Sequence, residues 1–290
     1  VIIKLLGFIL VKKFLFREGF KIMGMREEIR VHLCAEMLYK GRKTTTSING
    51  FKPDTTPDSI VESYRIQDKL IIKYLNERKK IRGWKAGVVS SIMQTAVGAK
   101  QSVEAPLFSI CNNKDINILD ISKFVKPGLE VELACKIKKD VDQNQDSWNT
   151  DSIEEYIESI SLAIEVIDTR GLPEIKNNFA LHVANFADNV ECIVGEPIES
   201  WKNINFMEEK ITTVLNDKEI DDRYADYLGH SPIYIASWLF NRLIKRRVKL
   251  KKNDYLLLGC LSHTIWLEEG EKLSVSSKNL GNMSIIAEKK

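Results

Sequence analysis

Three glutamates have the types and the spacing to do chemistry: Glu130, Glu132 and Glu165. The first two lie in Leu129 to Ile137, whose alternating pattern predicts a strand. Successive strand side chains point to opposite faces. Val131, Leu133, Cys135 and Ile137 therefore share one face, and Glu130 and Glu132 sit beside each other on the other. Two like charges that close repel unless solvent or a cation separates them. Taken alone, the pair fits either an ordinary solvated strand face or part of a metal site. Glu165 shifts that balance, because it interrupts Leu162-Ala163-Ile164-Glu165-Val166-Ile167, an almost wholly apolar run. Such runs are usually buried on both faces. A buried carboxylate takes up a proton unless it is paired or ligates a metal. Three carboxylates converging would make a hard oxygen site suited to Mg²⁺ or Mn²⁺, with positions left for water and substrate oxygens. Asp168 and Arg170 follow directly, and their pairing would serve either the site or the fold.

Other chemistries find little support. His32, His182, His230 and His263 are scattered, with no HxH or HExxH spacing, and no GxGxxG, P-loop or GxSxG occurs. Cys34, Cys111, Cys135, Cys192 and Cys260 are far apart and odd in number, which suits separate thiols in a reducing cytoplasm better than a disulfide framework. The net charge of +3 gives no general pull toward nucleic acid or anionic membrane. The basic run Lys245 to Lys252 falls at an expected helix end, where cations favour the helix dipole.

The elements that must position these residues are partly legible. Residues 25–43 carry Ile29, Leu33, Met37 and Leu38 at helical spacing. Thr56-Pro57-Asp58 reads as the start of a second helix reaching about Lys80. Gly83-Trp84-Lys85-Ala86-Gly87 reads as a short strand, and Ser90 to Val97 as a short helix capped by Gly98. Phe179 to Val194 should hold a strand or short helix around Asp188-Asn189. Ser231-Pro232 starts a helix to about Arg247, and residues 254–261, 264–269 and 284–287 read as closing strands. Helices come early and strands dominate later, so the expected class is α+β. The first 24 residues differ from the rest, with the apolar stretch VIIKLLGFIL followed by Lys12-Lys13. That stretch is shorter than the roughly 20 residues a bilayer span takes. The expected division is a hydrophobic and basic extension over 1–24 and one catalytic domain over 25–290.

Several segments together resemble a known family: the 2-keto-4-pentenoate hydratases, 2-oxohept-3-enedioate hydratases and 4-oxalocrotonate decarboxylases, within the wider fumarylacetoacetate hydrolase fold. They are Tyr64-Arg65-Ile66-Gln67, Gly83-Trp84-Lys85-Ala86-Gly87, Met93-Gln94 with Gly98, Glu130-Val131-Glu132, Glu165 to Arg170, Asp188-Asn189, Ser231-Pro232, Ala236 to Leu239 with Asn241, and Asp254 with Gly259. They follow the family's order from about Met25 to the C-terminus.

The resemblance implies a distorted, mostly antiparallel β-structure with N-terminal helices, usually assembled into homo-oligomers. It implies Glu130, Glu132 and Glu165 as ligands of Mg²⁺ or Mn²⁺ and an active-site role for Lys85. The expected substrate-binding residues are Lys85 and Ser262. The expected reaction adds water to 2-hydroxypenta-2,4-dienoate or a related 2-oxo acid of aromatic-compound catabolism, with no nucleic-acid partner. The runner-up is decarboxylation of 2-oxohex-3-enedioate, and a third reading is a non-catalytic scaffold. One segment departs from the pattern. Where the hydratases typically carry Pro-Asp-Phe-Gly and the decarboxylases Pro-Ile-Tyr-Gly, this chain reads Gln101-Ser102-Val103-Glu104-Ala105-Pro106. Val103 occupies the expected acid position, and Glu104 is the nearest substitute as catalytic proton shuttle.

Overall fold

In the computed structural model, residues 24–114, 118–142, 145 and 147–290 are described. The expected 1–24 extension therefore lies, but for Gly24, outside the described residues. The helices are α1 (24–41), α2 (Ile60–Asn76), α3 (Ser91–Val97), α4 (Thr150–Ile153), α5 (Ile175–Ala184) and α6 (Pro232–Lys245). The strands are β1 (Gly83–Gly87), β2 (Val103–Leu107), β3 (Ile110–Asn112), β4 (Ile118–Asp120), β5 (Gly128–Ile137), β6 (Ile157–Ile167), β7 (Asn189–Val194), β8 (Lys210–Leu215), β9 (Lys218–Tyr224), β10 (Tyr255–Leu257), β11 (Ile265–Trp266), β12 (Lys272–Ser277) and β13 (Gly281–Glu288).

The fold is α+β, as expected. One sheet runs β2-β1-β10-β5-β6-β7-β3, with β11 added beside β5, and the other runs β4-β13-β12-β8-β9. Most pairings are antiparallel; β1–β10, β3–β7 and β13–β4 are parallel. The β5–β6 pair forms the centre of the larger sheet. Its Val131, Leu133, Ile164 and Val166 join Leu273, Val275 and Ile285 of the smaller sheet and Leu239, Phe240 and Leu243 of α6 in the main core. A second cluster unites Leu38 of α1, Ile66 and Leu70 of α2, Leu181 of α5, and Phe186 in the turn that follows it.

Several elements differ from expectation. The second helix begins at Ile60, one turn after Thr56. Its cap is Ser59, whose hydroxyl accepts from Glu62 N, while the Glu62 carboxylate turns back to Asp58 N. Ser59-Ile60-Val61-Glu62 is thus a serine cap with an acid three residues on, and it outcompetes the Thr-Pro signal. The β8–β9 hairpin has no counterpart among the expected strands. Its turn is Asn216-Asp217, both at positive φ, the conformation that matches the twist of a two-residue hairpin.

Candidate active site

Strand register builds the site. Glu130 pairs directly with Glu165, and Glu132 pairs with Ala163. Both glutamates of β5 and the one on β6 therefore share a face, with Val131 and Leu133 turned to the core behind them. One carboxylate oxygen from each lies within 4.8 Å of the others. Like charges directly opposite on neighbouring strands destabilise a sheet. This pairing therefore calls for positive charge.

Lys85 supplies part of it. It pairs with Leu257 on β10, Leu257 pairs with Ala134 on β5, and Ala134 lies two residues from Glu132. The glutamate face thus continues across three strands to Lys85. Its Nζ donates to Glu165 Oε2 at 2.6 Å and to Ala187 O at 3.2 Å. Burial alone would lower the lysine's pKa, but Glu165, Glu130 and Glu132 outweigh it and hold the ammonium protonated beyond its ordinary range. Lys85 is therefore a fixed charge and hydrogen-bond donor rather than a base.

The remaining contacts fix each carboxylate. Glu165, fully buried, accepts from Asn189 Nδ2 at 2.8 Å. Glu130 accepts from the Thr264 hydroxyl at 2.7 Å, and Glu132 from the Gly259 N–H at 3.0 Å. Gly259 sits at φ +98°, and a Cβ there would meet Val89 Cγ2 at 2.7 Å, so only glycine brings this N–H to the carboxylate. Glu130 Oε2 and Glu132 Oε1 accept no hydrogen bond among the described residues. Burial, with Glu165 reinforcing it, raises the pKa of both Glu130 and Glu132 above the ordinary carboxylate value. Three carboxylates against one ammonium leave two negative charges in a water-poor place. An all-oxygen donor set with that residual charge, and with two carboxylate oxygens lacking a donor, fits one divalent cation.

The site opens into a cleft of about 620 Å³. Lys85, Glu130, Glu132 and Thr264 line it, together with apolar walls that include Met93, Ile167, Leu172 and Phe179. A strained turn closes one side. Phe186, Ala187 and Asp188 all have positive φ, which costs about 1–2 kcal/mol per residue. The turn aims Ala187 O at Lys85 and brings Asn189 to Glu165. Arg42, in the turn just after α1, clamps it, donating to Asn185 O, Asn185 Oδ1 and Asn189 O. His182 braces it from the other side, with Nδ1 on the Asp188 carboxylate and Nε2 on Pro173 O. Burial disfavours a charged ring there, but Asp188 outweighs it and raises the pKa of His182 above its ordinary value. Both ring nitrogens face acceptors, so this histidine is a protonated brace.

The structure places two expected site residues elsewhere. Glu104 pairs with Ala86, the neighbour of Lys85, and therefore points to the opposite face of the sheet. There it is fully buried, accepting from Tyr64 Oη at 2.7 Å, Arg242 Nε at 2.9 Å and Arg246 Nη1 at 3.1 Å. Arg246, from the basic run, is thereby turned inward. Val103 pairs with Gly87 and shares the face of Lys85. We expect Glu104→Gln to lower stability by about 3 kcal/mol, the usual consequence of removing one partner from a buried ion pair. Mn²⁺ affinity should stay unchanged in a titration of the folded variant, and a large loss of affinity would contradict this placement. Ser262 is also turned from the cleft: its hydroxyl accepts from Val131 N at 3.1 Å, and Thr264, two residues on, is the hydroxyl that reaches the carboxylates. Asp168 serves the fold, accepting from Val125 N and Arg170 N. Arg42 and Thr264 carry no local signal that sequence reasoning could have used, since both reach the site only through tertiary packing.

No protein-family model matches the chain. Among curated proteins, it is 25% identical over 230 residues to 2-keto-4-pentenoate hydratase 2 of Dechloromonas aromatica (strain RCB), covering 77% of this chain and 84% of that one. Among solved structures it resembles 4-oxalocrotonate decarboxylase from Pseudomonas putida G7, complexed with magnesium and adipate. The TM-score is 0.79 at 18% identity, covering 89% of this chain and 97% of that one. A fumarylpyruvate hydrolase from Pseudomonas aeruginosa, in complex with Mn²⁺ and pyruvate, superposes with a TM-score of 0.54 at 12% identity, covering 73% and 91%. The chain thus has the fumarylacetoacetate hydrolase fold, and the resemblance read from its ordered segments extends over most of its length. Among the described residues, no helix is long and apolar enough to cross a membrane.

Proposed function

We propose that this chain is a divalent-metal-dependent lyase, a hydratase that adds water to 2-hydroxypenta-2,4-dienoate or a related 2-oxo acid. One observation carries the reading: Glu130, Glu132 and Glu165 converge beside a buried, charged Lys85, and Lys85, Glu130 and Glu132 line a cleft. The hydratase names of the curated relatives support it. Mg²⁺ or Mn²⁺ held by the three glutamates would supply Lewis-acid charge to the oxygens of a 2-oxo acid.

The chain's own groups do the rest. Lys85 spends two of its three N–H bonds on Glu165 and Ala187, leaving one for a substrate oxygen. Its positive charge, fixed before substrate arrives, stabilises negative charge that develops on that oxygen. The apolar walls exclude bulk water from the conjugated carbons, so that charge is less screened. Glu104 faces away and takes no part in proton transfer. Residues 25–290 carry this activity, with homo-oligomeric assembly, a cytoplasmic location and a place in aromatic-compound catabolism belonging to the same reading.

The decarboxylase reading draws on the likeness to the Pseudomonas putida G7 structure. Loss of dienol absorbance with Mg²⁺ or Mn²⁺, yielding 4-hydroxy-2-oxopentanoate, is the expected result. Release of CO₂ from 2-oxohex-3-enedioate, with no hydration of the dienol, would favour the decarboxylase. Full activity in excess chelator would remove the metal from either.

A further inference from the structure

The basic run near the C-terminal end of α6 meets a second one. Four of the five residues 78–82 are cations, as are six of the eight residues 245–252, in a chain whose net charge is only +3. β1 and β10 pair in parallel with Gly83 opposite Tyr255, so the segments that lead into these strands run side by side. The Tyr255 N–H donates to Arg82 O at 3.0 Å and holds that approach. Among the described residues, Arg246 alone of these cations forms ion pairs, with Glu104 and Asp68. Like charges gathered without counter-charges repel. Both runs follow a helix end, α2 at Asn76 and α6 at Lys245. The attraction of a helix C-terminus for cations falls off within the last turn. It does not account for Lys80, Lys249 and Lys251, which lie four to six residues further on.

These three lysines line one groove of about 880 Å³, together with Arg246, Asp68 and Asp254. Ile71 and Leu75 of α2, with Ile81 and Val248, give the groove an apolar wall. Trp84 also lines it, and successive strand side chains point to opposite faces. Trp84 in the groove and Lys85 in the metal cleft therefore lie on opposite sides of the sheet, and the two cavities share no lining residue. Four cations against two carboxylates leave the groove positive. Its guanidinium is already spent on Glu104 and Asp68, and lies 4.5 Å over the Tyr64 ring. The donors that remain are ammonium groups, compact charges on flexible stems that suit phosphate oxygens and need no planar partner. A single carboxylate would balance one of them, whereas a phosphate chain carries several charges.

We infer that this groove is a second ligand site, for a nucleoside polyphosphate whose phosphates meet Lys80, Lys249 and Lys251 and whose base lies on the apolar wall. The inference is independent of the metal-chelate reading. The test is calorimetry on the full chain, stripped of metal with chelator and then dialysed, so that phosphates find no metal at the carboxylates. The probes are ATP, inorganic tripolyphosphate and adenosine. ATP is expected to bind, with affinity falling about tenfold or more between roughly 0.05 and 0.5 M salt as the charges are screened. Tripolyphosphate should bind about tenfold more weakly, because it leaves the apolar wall in water, and adenosine should give no measurable binding. Lys80→Gln/Lys249→Gln should weaken ATP at least tenfold. Both lysines are exposed, so the fold is not at stake. Lys218→Gln, an exposed lysine of the β8–β9 hairpin, should leave ATP binding as it was. Absence of ATP binding, or binding that the double variant keeps or Lys218→Gln equally weakens, overturns the site. Equal affinity for ATP and tripolyphosphate overturns the role of the apolar wall and with it the nucleoside.

Discussion

Glu130→Gln reduces turnover by about 10³-fold or more and leaves a folded protein whose melting temperature no longer responds to Mn²⁺. A bound metal contributes several kcal/mol of charge stabilisation to such a reaction, and about 4 kcal/mol corresponds to a thousandfold. Glu130 is the best of the three positions for the test. Its other contact is the Thr264 hydroxyl, which can donate or accept and so tolerates an amide. Glu165→Gln should be equally inactive but less stable, because Asn189 and Lys85 both donate to that carboxylate and an amide offers only one acceptor. The pH dependence follows from Glu130 and Glu132, whose pKa values are raised. Above the ordinary carboxylate value the folded metal-free protein holds more protons than the unfolded chain. Its stability from these groups is therefore full at low pH and falls as pH rises. A metal displaces those protons. The melting-temperature gain from Mn²⁺ in the unmutated protein should accordingly widen between about pH 5 and pH 8 by this linkage. A gain that is flat with pH, or normal turnover in Glu130→Gln, would contradict the assignment.

Lys85→Met lowers kcat strongly and destabilises the metal-free protein by about 3–5 kcal/mol, as expected for removing one member of a buried ion pair. The three carboxylates lose the ammonium that offsets their charge, and the apolar replacement cannot satisfy Glu165 Oε2 or Ala187 O. The double variant Lys85→Met/Glu165→Gln, which removes one charge of each sign, should recover much of the stability and none of the activity. That split separates the structural from the catalytic use of Lys85. Thermal unfolding in chelator measures the first and dienol consumption the second. A single variant with unchanged stability, or a double variant that regains turnover, would show that the pair does not work this way.

How much of this was legible in the chain depended on the range of the physics involved. The alternation of Leu129 to Ile137 put Glu130 and Glu132 on one face because side-chain direction in a strand is local. The apolar run around Glu165 announced a buried strand for the same reason, and β6 is buried along nearly all its length. The caps at Ser90, Gly98 and Ser231 marked their helices correctly. The second helix was set a turn too early because two cap signals stood three residues apart and only packing chose between them. Glu104 is the instructive failure. Its chemistry suited a proton shuttle, but its face depended on the pairing of β2 with β1, and a shift of one residue turns a side chain through the sheet.

By itself the sequence determined the helices with clear caps, the strand faces, the three carboxylates and, through its ordered segments, the fold they serve. Those properties rest on interactions between near neighbours, or on a pattern long enough to be read whole. Only the tertiary structure decided that Glu165 stands opposite Glu130, that Lys85 joins them while Glu104 is sealed away with Arg242 and Arg246, and that Arg42 and His182 hold the strained turn at Ala187. Each of these joins residues on separate elements. Strand register and helix docking set them, through the burial of side chains that carry no chemistry of their own.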